Sequence, residues 1–421
     1  MPLSRRRFLQ GVSLAAVAAA AEACAGPGPS PVASASASSA GASPSQMPPG
    51  TASPSVVASS PSPSSSSSQS PTASPDAAAL RRKIGGLLVV GFRGLTVAES
   101  DPVARAIVED GLGGVILFST DGLIGGRRNI ASPTQLADLT GHLRELAGGR
   151  PLFIAVDQEG GVVARLTPSN GFPATVSEAK IGAAGDVANA LAIGRATAQT
   201  LKSAGIDWNL APVVDLNVNP SNPSIGALGR SFSADPGVVV AMAAAIIQGH
   251  REHGILTALK HFPGLGSATG DTDRGFVDVT ATWHAAELEP FRRLVAGGNA
   301  DCVMVANSFN GQIDAAYPAT LSMKTVQGRL RGDIGWDGLT VTDDLQAGAI
   351  RKGYADAKAV ELAIAAGCDV LLFANQQLYV PDVASRVIDT IAGLVAAGTI
   401  AEEAVDTSLA RIAAARASVR V

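Results

Sequence analysis

The sequence predicts an α/β fold, a single-domain (β/α)8 barrel of the TIM type. Short, unbroken apolar runs alternate with segments of helical periodicity, and there are eight such runs. Several of them end in charged or amide side chains followed by Gly-rich loops. Unbroken apolar strands between amphipathic helices belong to a parallel sheet buried on both faces. Eight such units match the barrel. A doubly wound open sheet is the alternative, but no Gly-x-Gly-x-x-Gly follows the first run.

The runs are residues 86–92, 114–119, 152–157, 208–215, 256–262, 302–308, 339–344 and 369–374. Helical periodicity fills the intervals most clearly at 133–146, 186–204, 237–253 and 355–366. These elements fall within residues 77–421, long enough for one large α/β domain. Residues 25–76 form a tether, almost wholly Ser, Pro, Ala, Gly and Thr from residue 27 on. Such a composition buries too little apolar surface to offset the entropy of ordering, so disorder is expected. Residues 1–24 read as a targeting segment. Ser4-Arg5-Arg6-Arg7-Phe8-Leu9 precedes an apolar run at 12–21, the pattern of a twin-arginine export signal, and the run is too short to span a bilayer. Ala21-Glu22-Ala23-Cys24 resembles a lipoprotein processing site with Cys24 acylated. The expected location is the outer face of the cytoplasmic membrane, reached only through that lipid.

Net charge is -4 and aromatic content 4%, with no basic stripe, which argues against nucleic acid as a partner. The five histidines include no close pair at ligand spacing and no cysteine cluster accompanies them, so no metal or organic cofactor is implied. Cys302 and Cys368 lie in apolar runs and read as core residues, with a disulfide left open.

The ends of the runs carry the chemistry. The third ends in Asp157-Gln158-Glu159-Gly160-Gly161 with Arg165 close by, the fourth in Asp215, and the fifth in Lys260-His261. The sixth gives Asn307-Ser308 and the seventh Thr342-Asp343-Asp344. In a parallel barrel all of these reach one rim. Carboxylates, Lys, Arg and His gathered there suit a polyhydroxylated ligand, which needs both donors and acceptors. Structural readings stand beside the functional ones. Glu159 could pair with Arg165, and Asp215 could cap a segment or hold a loop. Lys260 and His261 could satisfy rim carboxylates, Asp343 could be an ion-pair partner, and Asp344 reads as structural.

Five segments carry a family resemblance: Ala155-Val156-Asp157-Gln158-Glu159-Gly160-Gly161, Leu210-Ala211-Pro212-Val213-Val214-Asp215, Gly229-Arg230-Ser231-Phe232, Lys260-His261-Phe262-Pro263-Gly264 and Trp336-Asp337-Gly338-Leu339-Thr340-Val341-Thr342-Asp343-Asp344-Leu345. With these the chain resembles glycoside hydrolase family 3, and most of all its single-domain bacterial β-N-acetylhexosaminidases. The resemblance implies a retaining exo-glycosidase, with Asp343 as nucleophile and with Asp157, Arg165, Arg230, Lys260 and His261 binding the terminal sugar. The expected substrate is β-linked N-acetylglucosamine in peptidoglycan fragments. The alternatives are a β-glucosidase of the same family or a sugar-binding surface lipoprotein of weakened catalysis.

The chain departs from the family at the loop after the fifth run. Those enzymes carry Asp-x-His there, the His acting as acid/base. Here the loop reads Asp271-Thr272-Asp273, and Leu265 stands at another common His position. A carboxylic acid is the usual glycosidase proton donor. Asp273 can take that role if Asp271, as a nearby like charge, helps it keep its proton. A solvated acidic loop is the alternative. Gly264, Gly266, Gly270 and Gly275 are expected to serve as its hinges.

Overall fold

The computed structural model describes residues 75–418. The export signal, Cys24 and almost all of the tether lie outside the described residues.

Nine parallel strands account for the apolar runs: β1 Leu88–Gly91, β2 Gly114–Leu117, β3 Phe153–Val156, β4 Trp208–Asn209, β5 Leu256–Thr257, β6 Leu259–Phe262, β7 Cys302–Val305, β8 Leu339–Thr342 and β9 Leu371–Phe373. All of their residues are buried, which explains the lack of alternation in the sequence. The fifth run is divided at Ala258, whose N–H leaves the strand register to donate to Ala211 O at 3.0 Å. One sheet has the order β5-β4-β3-β2-β1-β9 and a second the order β6-β7-β8. Chain continuity through Ala258 links β5 to β6, and an isolated parallel bridge joins Val341 of β8 to Val370 just before β9.

Helices cover the sheets where the periodicity placed them. Helix Pro133–Leu146 starts with Ser132 accepting from the Gln135 N–H and with Pro133 in its first turn, and it buries Leu136, Leu139 and Leu143. Helices Val187–Ser203 and Pro236–Arg251 pack closely because glycines meet backbone. A Cβ on Gly194 would stand 2.8 Å from Ile246 O, and one on Gly249 would stand 2.6 Å from Arg195 N. One apolar cluster gathers around β1–β3 and β9, where Phe153 and Trp208 rings lie 4.7 Å apart. A second gathers around β6 and the Pro236–Arg251 helix. Cys302 and Cys368 are buried free thiols in the core. Parallel strands point their carboxyl ends the same way, so the polar residues that follow them share one side of the molecule.

Candidate active site

A cleft of about 590 Å³ opens at the carboxyl ends of the strands. Asp157, Glu159, Arg165, Arg230, Lys260, His261, Asp271, Asp273, Asp343 and Asp344 all line it. Asn307 and Ser308 do not, contrary to the sequence expectation. They are buried, and the Asn307 amide instead donates to Asp344 O at 2.7 Å.

After β3 the chain turns back on itself. Gln158 holds the turn: its Oε1 accepts from the Arg165 and Leu166 N–H groups and its Nε2 donates to Leu166 O. This returns Arg165 to Asp157, at 3.1 Å. Gly160 has φ 105°, and a Cβ there would lie 2.1 Å from Val176 O, so only glycine fits. Lys260, within β6, is 2% exposed and reaches both Asp157 at 2.8 Å and Glu159 at 2.7 Å. Glu159 is also gripped by both sides of the Arg230 guanidinium, at 2.8 Å each. The partner of Glu159 is therefore Arg230 together with Lys260, and Arg165 belongs to Asp157.

The charge states follow. Burial pushes Glu159 up, but the cations of Arg230 and Lys260 prevail and hold it down at about 2. Burial likewise opposes ionisation of Asp157, and Lys260 and Arg165 bring it well below the usual carboxylate range. Burial pulls Lys260 down, yet Asp157 and Glu159 leave it raised. Behind Glu159 lies the buried Glu178. Its Oε1 accepts from the Val213 N–H at 2.9 Å and its Oε2 has no hydrogen-bond partner. Burial and then the charge of Glu159 push its carboxyl well up.

Asp215 lies beneath the cleft as a fastening. It accepts from the His261 ring at 2.7 Å, from the His261 N–H, and from the Leu265 N–H at 2.8 Å. A carboxylate only accepts, so the His261 proton sits on Nδ1 and Nε2 is free of it unless the ring is charged. The peptide bond between Lys260 and His261 is cis.

The root of the following loop is held on its other side. The Ser267 N–H donates to Glu287 at 3.3 Å, the Trp283 indole to Pro263 O at 3.0 Å, and the Asn222 amide to Leu265 O at 2.7 Å. Two of the expected hinges are closely packed. A Cβ on Gly266 would meet Leu216 O at 1.7 Å, and one on Gly264 would meet Glu287 Cβ at 2.6 Å. Space is freest at Gly275, whose added Cβ would meet only Lys352 Nζ at 4.0 Å. Burial pushes Glu287 up to about 7, assisted by the charge of Asp215.

At the loop tip the Asp273 N–H donates to Asp271 Oδ1 at 3.0 Å, and Asp271 pairs with Arg274 at 3.2 Å. The Asp273 side chain is open to the solvent of the cleft, although protein surrounds it on most sides. That enclosure, then the charges of Asp343 and Asp271, push its carboxyl up to about 6. Asp343 follows β8 directly and accepts the Asp344 N–H at 2.8 Å. Asp344 Oδ1 takes the N–H groups of Gln346 and Ala374, each at 3.0 Å, as a structural residue would. Burial pushes Asp344 up to about 7.

Sequence reasoning missed Glu178 and Glu287, which come from helical segments with no strand-end signal. It also missed Arg128, which is 2% exposed and ties the ends of β1 and β9 by donating to Phe92, Ala374 and Asn375 carbonyls. Its place in a Gly-rich loop gives no clue to this.

Comparisons with known proteins give the family. Residues 79–415 match the model of the glycosyl hydrolase family 3 N-terminal domain. A beta-hexosaminidase of Xylella fastidiosa strain M23 is 37% identical over 301 residues, 69% of this chain and 84% of that protein. One from Stenotrophomonas maltophilia strain K279a is 36% identical over 303 residues, with the same 69% and 84% coverage. Among solved structures, a family 3 beta-N-acetylglucosaminidase from Paenibacillus sp. FPU-7 superposes with TM-score 0.73 at 34% identity. That match covers 81% of this chain but only 62% of the Paenibacillus protein. A beta-N-acetylhexosaminidase from Beutenbergia cavernae DSM 12333 superposes with TM-score 0.72 at 32% identity, covering 80% of this chain and 98% of that one.

Proposed function

The chain belongs to glycosyl hydrolase family 3 and is a β-N-acetylglucosaminidase-type glycosidase, and we propose that it works by retention, with Asp343 as nucleophile and Asp273 as acid/base. One observation carries this reading: the cleft sets Asp343 close to a second carboxyl, Asp273, whose surroundings keep its proton on up to about pH 6. A glycosidase needs one carboxylate to attack and one carboxylic acid to protonate the leaving group.

In the first step a carboxylate oxygen of Asp343 bonds to the anomeric carbon and the glycosidic C–O bond breaks. The Asp273 proton goes to the departing oxygen, which leaves as an alcohol. In the second step the Asp273 carboxylate takes a proton from water, whose oxygen bonds to the anomeric carbon. The ester to Asp343 breaks and the β anomer is released. Asp157, Arg165, Arg230, Lys260 and His261 hold the sugar hydroxyls. Ion pairs among Asp157, Arg165 and Lys260, with Glu159 holding Arg230 and Asp215 holding His261, fix the side chains before the sugar arrives, so little ordering remains at the reaction.

Asp343→Asn should lower turnover by several orders of magnitude with the fold intact, because a carboxamide cannot form the glycosyl ester. A 5-fluoro sugar should label the Asp343 peptide, and labelling at Glu159 or Asp344 would overturn the assignment. Asp273→Ala should slow poor leaving groups by roughly 10²–10⁴-fold and spare glycosylation by dinitrophenyl glycosides. Azide should then restore turnover, giving a β-glycosyl azide.

The two sheets read as one (β/α)8 barrel, supported by the Val341–Val370 bridge and by continuity through Ala258. Peptidoglycan fragments are the proposed natural substrate. Export by the twin-arginine-type segment with acylation at Cys24 fits such a substrate. Labelled palmitate should enter the protein and be lost in Cys24→Ala.

A further inference from the structure

The loop that carries Asp273 is fastened to the segment that follows Asp343. The Gly348 N–H donates to Asp273 O and the Ala349 N–H to Thr272 O, both at 2.9 Å. The Lys352 ammonium donates to Arg274 O at 2.6 Å. Gly348 leaves the space for this contact. A Cβ there would stand 2.5 Å from the Arg274 carbonyl carbon and oxygen and 2.8 Å from Asp273 O. These are backbone atoms, so no side-chain rotation relieves the overlap, and the loop would have to move. Gly348 does not have the positive φ that favours glycine, so its requirement is steric. The segment beneath it is fixed to β8 and β9: Asp344 Oδ1 accepts from Gln346 and Ala374, the Ala347 N–H donates to Asp344 O, and the Leu345 N–H donates to Leu372 O.

We propose that Gly348 is a positioning residue for the proton donor: its bare Cα is the seat on which the Asp273–Arg274 backbone rests, and it sets the donor at a fixed height above the nucleophile. The inference rests on the reading of Asp273 as acid/base. Nucleophile and donor then ride on one rigid piece of backbone, although Asp273 comes from a loop on the far side of β7. A displacement of about 1 Å in such a group can cost about 10²-fold in rate.

The test compares Gly348→Ala with wild type on a phenyl and a 2,4-dinitrophenyl β-N-acetylglucosaminide. Gly348→Ala should lower kcat/KM for the phenyl substrate by roughly 10–10²-fold. It should leave the dinitrophenyl substrate, and the rate of fluorosugar labelling at Asp343, nearly unchanged. The basic limb of kcat/KM should move to lower pH, because Asp273 leaves the enclosure that raises it. In an Asp273→Ala background the Gly348→Ala effect on the phenyl substrate should vanish, which a general loosening of the fold would not produce. Lys352→Met, at an exposed position, should give the same leaving-group pattern in smaller measure. Equal losses on both substrates, or none on either, overturn the proposal. If Asp273→Ala alone shows no leaving-group dependence, the acid/base reading itself fails and this inference with it. If Asp273→Ala shows the dependence and Gly348→Ala and Lys352→Met do not, only the seat is wrong.

Discussion

A carboxyl group donates a proton at neutral pH only where its surroundings keep the proton on. Asp273 meets that need through partial enclosure and through the charges of Asp343 and Asp271, which place it at about 6 against an ordinary 3.8. Asp273 must be protonated in the free enzyme, so kcat/KM should fall as pH rises through about 6. Asp271→Asn removes one negative neighbour while keeping the Oδ1 that accepts the Asp273 N–H. The pKa then drops and the basic limb should slide to lower pH with turnover retained. Paired pH–rate profiles check this, and an unmoved limb counts against it. Lys260 is bound in a different way. Its removal leaves Asp157 and Glu159 as charges short of a partner, so Lys260→Ala should cost about 3–5 kcal/mol in denaturant melts, besides lowering turnover. Lys260 and Asp343 were legible in the sequence because each stands at the end of an apolar stretch, and Asp271 and Asp273 because their loop resembles that of the family. Glu178 was not, since its approach to Glu159 depends on how helix Glu178–Ala184 packs.

At the scale of elements, the loop after β6 divides into a fixed root and a docked tip. Glu287 supports the root, with both of its oxygens facing backbone N–H groups, those of Ser267 and His284, at 3.3 Å. Glu287→Ala would leave the buried Ser267 N–H and the half-buried His284 N–H unpaired. It should lower stability by about 1–3 kcal/mol, measurable by chemical denaturation. The sequence placed every apolar run, and it placed helix Pro133–Leu146 to the residue. It overran most strand ends, because ladder pairing stops before the polar residues that turn into the cleft; β6, which contains Lys260 and His261, is the exception. β4 shows this most, since its run continues apolar to Val214 while the continuous strand ends at Asn209, with an isolated bridge from Val213 to Lys260 beyond it. The glycines of the loop misled for a physical reason. A glycine that permits a turn and one that admits a neighbouring backbone look alike in a sequence: Gly264 takes φ 119°, whereas Gly266 lies against Leu216 O.

For the whole molecule, the carboxyls with shifted pKa make stability depend on pH in two opposing ways. Glu159 and Asp121 are lowered to about 2, so their contribution is complete above their unfolded values of 4.5 and 3.8 and is lost as pH falls. Asp273, at about 6, and Glu287 and Asp344, at about 7, are raised. They hold protons that the unfolded chain releases from about pH 4 upward, so stability falls as pH rises from there to about 7. The thermal midpoint should therefore be highest near pH 4–5 and decline toward 7. A midpoint that climbs steadily from 5 to 7 would contradict this. The strand order has a consequence for how the protein is made. β1, at Leu88–Gly91, pairs on one side with β9, at Leu371–Phe373, so the first of the described strands to leave the ribosome waits for the last. Until Phe373 emerges, one edge of β1 offers open amides and carbonyls to any strand it meets. The nascent enzyme is thus exposed to wrong pairing for most of its synthesis, and truncations ending before β9 should yield aggregates in place of partial enzymes.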